Sequence, residues 1–276
     1  MKKTSFILLV GICLLGSYST AKAQILKNLG KKAEKAINQK VDKVLDGRSE
    51  VPSMEETNPG KTNPTGPFKD IPKTAYDFKA GSEVVFFDDF SEDAVGAMAK
   101  HWTSNGRGSI ANVPGFEGKW LKMENKNTYK IKDLVRIPEN FTLEFDLLAL
   151  ADNTDDISIE FGFDHQKGVS KHYYLGDRNP INIDASYQFN KFDFTSNELS
   201  QRKSSEVKAD MSYFVNDVMK VKLRIRGDRM EAYIHEYKVL DTEMVNPNTK
   251  KYFYIAVNHG KNNAEIYMDN VRIAQL

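Results

Sequence analysis

The stretch VVFFDDF, Val84 to Phe90, sets two carboxylates, Asp88 and Asp89, directly after four apolar residues. Acids in that position can be general acids, metal ligands or the polar end of a strand. A second acid–amide pair, Asp269-Asn270, stands in AEIYMDNVRIA near the C-terminus. Glu144 and Asp146 alternate along FTLEFDLL and so share one strand face. Two carboxyl groups about 5 Å apart are what retaining glycoside cleavage uses, one as acid and one as nucleophile. Glu160 and Asp164 echo that pattern more loosely. The five histidines show no spacing such as H-E-x-x-H, and the single cysteine, Cys13, lies near the N-terminus, so neither a histidine zinc site nor a thiol nucleophile is expected.

A different chemistry is offered by KHYYLGDRNPINIDASYQFNKFDF. Sugar C–H faces stack on aromatic rings while sugar hydroxyls need planar hydrogen-bonding groups. The candidates are therefore Tyr173, Tyr174, Asp177, Arg178, Asn182, Tyr187 and Asn190. Strand alternation would send half of the rings in this stretch into a core, and Trp102 and Trp120 read as core as well. Thr195 to Ser212 reads as a long polar insertion of the kind on which binding surfaces are built.

The elements that must position these groups are strands. Short runs rich in β-branched and aromatic residues, broken by Gly, Asn and Asp, predict strands at Val84–Phe87, Lys119–Met123, Phe141–Leu148, Ile157–Phe163, His172–Leu175, Ile181–Phe189, Val218–Arg226, Met230–His235, Tyr252–Asn258 and Ala264–Ile273. In VKLRIRGDRMEAYIHEYKVLD, Val221, Leu223 and Ile225 alternate with Lys222, Arg224 and Arg226, and Gly227-Asp228 suits a tight hairpin turn. That turn also accounts for the tripeptide Arg226-Gly227-Asp228 without an adhesion role.

Ahead of the strands lie three segments of other character. Residues 1–23 have a Lys2-Lys3 start, an apolar run from Phe6 to Leu15 and an Ala21-Lys22-Ala23 cleavage signal, which is the pattern of a signal peptide and is too short to span a membrane. Residues 24–47 place Ile25, Leu29, Ala33, Ile37, Val41 and Val44 at helical spacing among six lysines. This basic amphipathic helix suggests peripheral contact of 25–45 with an anionic membrane surface. Residues 48–80 hold five prolines and no sustained period, so a flexible linker is expected. The globular domain is then 81–276.

Charge narrows the function classes. The leader takes three of the 39 basic residues and none of the 38 acidic ones, which leaves a formal net charge of −2. Such a balance argues against a nucleic-acid partner. With no cysteine beyond the leader, stability must come from an apolar core or a bound ion.

The segments VVFFDDFSEDAVG, HWTSNGRGSI, GKWLKM, IPENFTLEFDLL and AEIYMDNVRIA together resemble the β-rich N-terminal region of a group of Bacteroidetes outer-membrane protein A family proteins. That region is similar in turn to concanavalin-like and laminin-G-like jelly rolls. The resemblance implies an all-β fold, a two-sheet antiparallel jelly-roll sandwich, with the first and last strands side by side. In the group, a peptidoglycan-binding domain follows the last strand, whereas this chain stops at Leu276. The resemblance also implies that Asp88, Asp89, Asp269 and Asn270 come close, where related folds hold a structural calcium ion with carboxylate, amide and carbonyl oxygens. Some concanavalin-like folds hydrolyse glycosides with Glu-x-Asp-x-x-Glu. Here Glu144-Phe145-Asp146 begins the motif, and Leu148 or Ala149 stands where the last Glu is needed.

The expected protein is thus an exported, non-enzymatic binding protein of the periplasm, the outer membrane or the exterior. Its expected partner is a glycan, with an envelope protein as the alternative and glycoside hydrolysis as the reading that lacks a residue.

Overall fold

The computed structural model describes residues 66–133, 135–169 and 179–276. The leader, the basic helix and most of the expected linker lie outside the described residues, as does the expected strand His172–Leu175. Among the described residues no helix is long and apolar enough to cross a membrane.

Two antiparallel sheets face each other, as the two-sheet jelly-roll expectation requires. Sheet A contains β1 (Glu83–Asp88), β3 (Gly108–Ala111), β4 (Trp120–Met123), β6 (Phe141–Leu150), β11 (Val218–Arg226), β12 (Arg229–Ile234), β13 (Tyr237–Glu243) and β15 (Glu265–Gln275). Sheet B contains β2 (Trp102–Ser104), β5 (Asn127–Ile131), β7 (Ile157–Asp164), β8 (Ile181–Ser186), β9 (Lys191–Ser196), β10 (Lys203–Lys208) and β14 (Tyr252–Gly260). The order in sheet A is β13-β12-β11-β6-β15-β4-β3, with β1 also on β15, and in sheet B it is β10-β9-β8-β7-β14-β5-β2.

Period-two alternation builds the core between the sheets. Phe141, Leu143, Phe145 and Leu147 of β6 point inward and meet Phe161 and Phe163 of β7. Edge-to-face ring pairs join Phe145 to Phe161 at 5.2 Å and Phe141 to Phe163 at 5.4 Å. Each such ring buries enough apolar area for roughly 2–3 kcal/mol. Both tryptophans are buried, Trp102 in this core and Trp120 in a smaller cluster with Val113, Leu148 and Tyr267 on the outside of sheet A. Gly162 is fixed by close approach, since a Cβ there would lie 2.1 Å from the carbonyl oxygen of Ile181 on β8.

Three expectations differ from what is observed. The packed domain starts well before 81, because Phe68 is buried against Tyr237 (5.1 Å), Phe192 (6.0 Å) and Phe214 (6.2 Å). Downstream of it Asp77 is tied to Lys238, Tyr233 and Arg224, and Tyr76 and Phe78 lay their rings edge-on to Tyr233. Those bonds, the Lys238 ammonium first, hold the Asp77 carboxyl down at about 2. One aromatic anchor and one shared carboxylate dock a segment whose average composition reads as linker. Secondly, the expected strand Ile181–Phe189 ends at Ser186, because a short turn, Tyr187–Phe189, closes on Asn190 in the left-handed region at φ 53°. Thirdly, Thr195–Ser212 carries the end of β9 and all of β10, an edge strand too polar for its alternation to be read.

Phe68→Ala removes a fully buried ring and should lower stability by about 3–4 kcal/mol in urea titration. A change under about 1 kcal/mol would mean that the 66–80 segment is not part of the cooperative unit.

Candidate functional site

Two places gather polar side chains, one on each sheet. The first is where β15 exchanges neighbours. Its residues Ile266–Met268 pair with β4 and Val271–Gln275 pair with β1, while β6 stays on the other side. The exchange falls on Asp269-Asn270, where the register with β6 shifts and Asn270 takes φ 54°. A cleft of about 540 Å³ opens there between Asp89, Asn112, Glu117, Lys119 and Asp269.

The structure brings Asp89, Asp269 and Asn270 to this cleft and turns Asp88 to another task. Asp88 accepts from the Phe90 amide (3.0 Å) and from Trp102 Nε1 (3.0 Å), and burial pushes its carboxyl up. Asp89 accepts from the Ser91 amide (3.0 Å), and bonds from the Ser91 hydroxyl and amide hold it down. Asn270 Nδ2 donates to Asp146 and Asp269 (3.1 Å each). Burial raises the Asp269 carboxyl to about 7, with Asp146, Asp89 and Asp88 pushing the same way.

Calcium takes six to eight oxygens. Here Lys119 Nζ already donates to the carbonyls of Ser91 and Asp93 at 2.7 Å each, and both oxygens of Asp88 are occupied. Among the described residues no group of three or more His, Cys, Asp or Glu side chains is arranged to hold a metal ion. The four residues Asp88, Asp89, Asp269 and Asn270 therefore do not fit a calcium ion while Lys119 holds this position.

Glu144 and Asp146 share the outer face of sheet A, as alternation requires. Each is tied to a cation: Glu144 to Arg272 (2.9 Å) and Asp146 to Lys220 (3.1 Å). Leu148, the next outward position, is packed with Trp120 and Tyr267. Glu160 and Asp164 lie on the other sheet, so the two acid pairs cannot act together.

The second place is the outer face of sheet B. The inward set Ile157, Ile159, Phe161 and Phe163 leaves Ser158, Glu160, Gly162 and Asp164 facing out, and the neighbouring strands repeat the pattern. The register lines up one row of directly opposed residues: Thr128 with Ala256, Ala256 with Glu160, Glu160 with Asp184, Asp184 with Asp193, and Asp193 with Glu206. Like charges set opposite each other are unfavourable in a sheet. Lys191 relieves part of this by bridging Asp193 (3.1 Å) and Glu206 (2.8 Å). Glu160 accepts from Asn258 Nδ2, and Asp184 Oδ2 accepts from the Ser186 hydroxyl (3.0 Å). Burial, with Asp193 adding to it, raises the Asp184 carboxyl to about 6. Among the described residues, three acceptors on this face have no protein partner and no contact with solvent: Thr128 Oγ1, Asp184 Oδ1 and Asn258 Oδ1.

The expected sugar contacts fare differently one from another. Asn182 is buried and bonded to Tyr254 Oη (2.6 Å), and Tyr187 is wholly buried. Asn190 holds the turn by accepting from the Ala209 amide (2.9 Å) through its carbonyl and from the Met211 amide (3.1 Å) through its side chain. The rings left in solvent beside it are Phe189, 64% exposed, and Tyr213, 50% exposed. Tyr173, Tyr174, Asp177 and Arg178 lie outside the described residues. Sequence reasoning passed over Tyr213, Asp184 and Asp193; the only signal for the acids was their place on alternating runs.

No protein-family model matches the chain, and no curated protein matches it. Solved structures do share its fold. The exoplasmic/lumenal domain of VIP36 in its Ca2+/Man3GlcNAc-bound form superposes with a TM-score of 0.50 at 12% identity, covering 64% of this chain and 84% of that one. The same domain in its Ca2+-bound form gives 0.50 at 12%, over 70% and 90%. The Emp47p carbohydrate recognition domain gives 0.48 at 10%, over 72% and 99%. The likeness to the VIP36 domain shows a two-sheet jelly roll as the architecture.

Asp269 supplies a pH test. Folded, it holds its proton up to about pH 7, whereas an unfolded aspartate releases it near 3.9. The folded state then binds more protons between those values, so its stability is full below the lower one and falls as pH rises through the higher. Asp269→Asn should remove that slope and retain, at pH 8, on the order of 2 kcal/mol that the wild type loses, after allowance for solvent at the cleft. Urea midpoints at pH 4.5 and 8 measure it; parallel slopes in both proteins would refute the assignment.

Proposed function

We propose that the domain is an exported, non-enzymatic glycan-recognition module of the cell envelope that binds sugar on the outer face of sheet B. The observation that carries this reading is the set of acceptors on that face, Thr128 Oγ1, Asp184 Oδ1 and Asn258 Oδ1, with no protein donor among the described residues. A buried acceptor without a partner costs about 1–3 kcal/mol, and a polyhydroxyl ligand that displaces the side chains covering these atoms supplies the missing donors. The VIP36 domain, which has the same architecture and is known in Ca2+/Man3GlcNAc-bound and Ca2+/Man-bound forms, supports the reading. The resemblance to outer-membrane protein A family regions and the signal-peptide pattern favour the envelope as the place.

Hydrolysis is disfavoured, since Glu144 and Asp146 are paired with cations. An envelope protein as partner has one observation on its side: Val84 and Phe87 of β1 are 50% and 53% exposed on a strand paired along one side only. Peripheral lipid contact through residues 25–45 remains a proposal on the lysine pattern alone.

A glycan array with the chain from Gln24 tests the reading: saturable binding to a defined sugar set is expected, and silence across neutral, amino and acidic glycans would refute it. Melting temperature should be unchanged by millimolar calcium or by a chelator, because Lys119 fills the carbonyl pair. A rise of several degrees with calcium would show that the ion displaces Lys119.

A further inference from the structure

We infer that the free edge of β1 takes an extended segment of another protein, which pairs beside residues 84–88 and sets a lysine or arginine into the cleft at Asp89, Glu117 and Asp269. This develops the envelope-protein reading of that edge and does not depend on sugar binding to sheet B.

Strand edges left in solvent are templates for pairing, and proteins blunt them by shortness or by charge. Among the described edge strands, β2 and β3 have three and four residues, while β10 (KSSEVK) and β13 (YKVLDTE) carry three charges each. By contrast β1 (EVVFFD) is six residues long, four of them apolar, with no lysine or proline. A bulge at Val85, where Val84 and Phe86 oppose the adjacent Ala274 and Ile273, breaks its alternation. Val84 and Phe87 therefore both stand in solvent although Phe86 is buried. From Phe86 to Asp88 the register with β15 is regular, and the next residue, Asp89, lines the cleft.

The place beside β1 is open. β4 and β1 lie end to end on the same side of β15, and β3 fills the next place beside β4 only. Among the described residues no strand pairs with the outer edge of β1. A segment added there continues the line of β3, and Asn112, just past the end of β3, borders the same cleft.

Charge selects the occupant. Three acids line the cleft against one lysine, whose ammonium is already bound to the carbonyls of Ser91 and Asp93. A cation entering the cleft offsets the repulsion that Asp146, Asp89 and Asp88 exert on the Asp269 carboxyl. Asp89 lies two residues on from Phe87, about 7 Å along a strand, so a basic residue two positions beyond the one opposite Phe87 reaches it on the same face. An antiparallel second copy centred on Val85-Phe86 would instead set Glu83 opposite Asp88 at both ends, acid against acid. An anionic lipid surface is repelled by the same acids.

The probes are the capped peptide Thr-Lys-Thr-Val-Thr-Val-Thr-Lys-Thr, which offers a lysine to the cleft in either strand direction, and its counterpart with Glu for both Lys. Each is titrated into the isotope-labelled chain from Gln24 and followed by amide chemical shifts. Shifts are expected at residues 83–89 and at Gly118 and Lys119, with the lysine peptide bound about tenfold tighter than the glutamate one. Phe87→Lys should weaken it about tenfold and Glu117→Gln about threefold. Both positions are exposed, so circular dichroism should match wild type. Equal binding of the two peptides would overturn the basic residue. Shifts elsewhere, or affinity indifferent to both variants, would overturn the site, and no shifts at millimolar peptide would overturn the pairing. Sedimentation of the chain alone should show a monomer; a dimer dissociated by Phe87→Lys would give the edge to a second copy and overturn the assignment. None of these outcomes touches the sugar reading, which the glycan array decides.

Discussion

Strand alternation against a single aromatic core is the constraint from which the rest follows. Once Phe161 and Phe163 are packed on Phe145 and Phe141, period two leaves Glu160 and Asp164 no inward option. A one-residue slip would send Glu160 into the core and Phe161 into water, at a cost of several kcal/mol for the charge alone. The register is therefore fixed by apolar burial. The carboxylate row on sheet B is its by-product, kept in place although the acids repel one another. A molecule that holds an unfavourable polar arrangement on an otherwise consistent scaffold points to a function for it.

Sheet A shows the same logic with a different outcome. Its outward acids are matched with cations one by one: Glu144 with Arg272, Asp146 with Lys220, and Glu231 with Arg224 and Arg226. The mismatch is local to Asp269, where β15 passes from β4 to β1 and a buried acid meets three others. There the protein supplies its own cation, Lys119, aimed at two carbonyls rather than at the acid. On sheet B, by contrast, Asp184, Asp193 and Glu206 stand side by side, with Lys191 shared between the last two.

The sequence made some of this legible and hid the rest for physical reasons. FTLEFDLL and the Val221–Ile234 hairpin were readable because one face is fully apolar and the other charged, so alternation is plain over eight or more residues. KSSEVK, which forms β10, was not readable, since an edge strand with little burial needs no apolar set. Phe68 was lost in a Pro-rich average. Tyr187 and Phe189 look interchangeable by composition, yet the left-handed Asn190 resets the phase and sends one to the core and the other to solvent. For VVFFDDF the sequence predicts a strand at Val84–Phe87 and leaves its acids as general acids, metal ligands or the polar end of that strand. The structure gives Asp88 the work of holding Trp102 Nε1 and the turn at Phe90. The carboxylate row could not be seen at all, because its members come from four strands and meet only through register.

Amide chemical-shift mapping during titration with the sugar that the glycan array selects examines the link between register, the outer face of sheet B and function directly. Shifts confined to Glu160, Asp184, Asp193, Glu206 and the Phe189 turn are the predicted result. Shifts centred instead on Asp89, Lys119 and Asp269, or on the β1 edge at Val84 and Phe87, would contradict it.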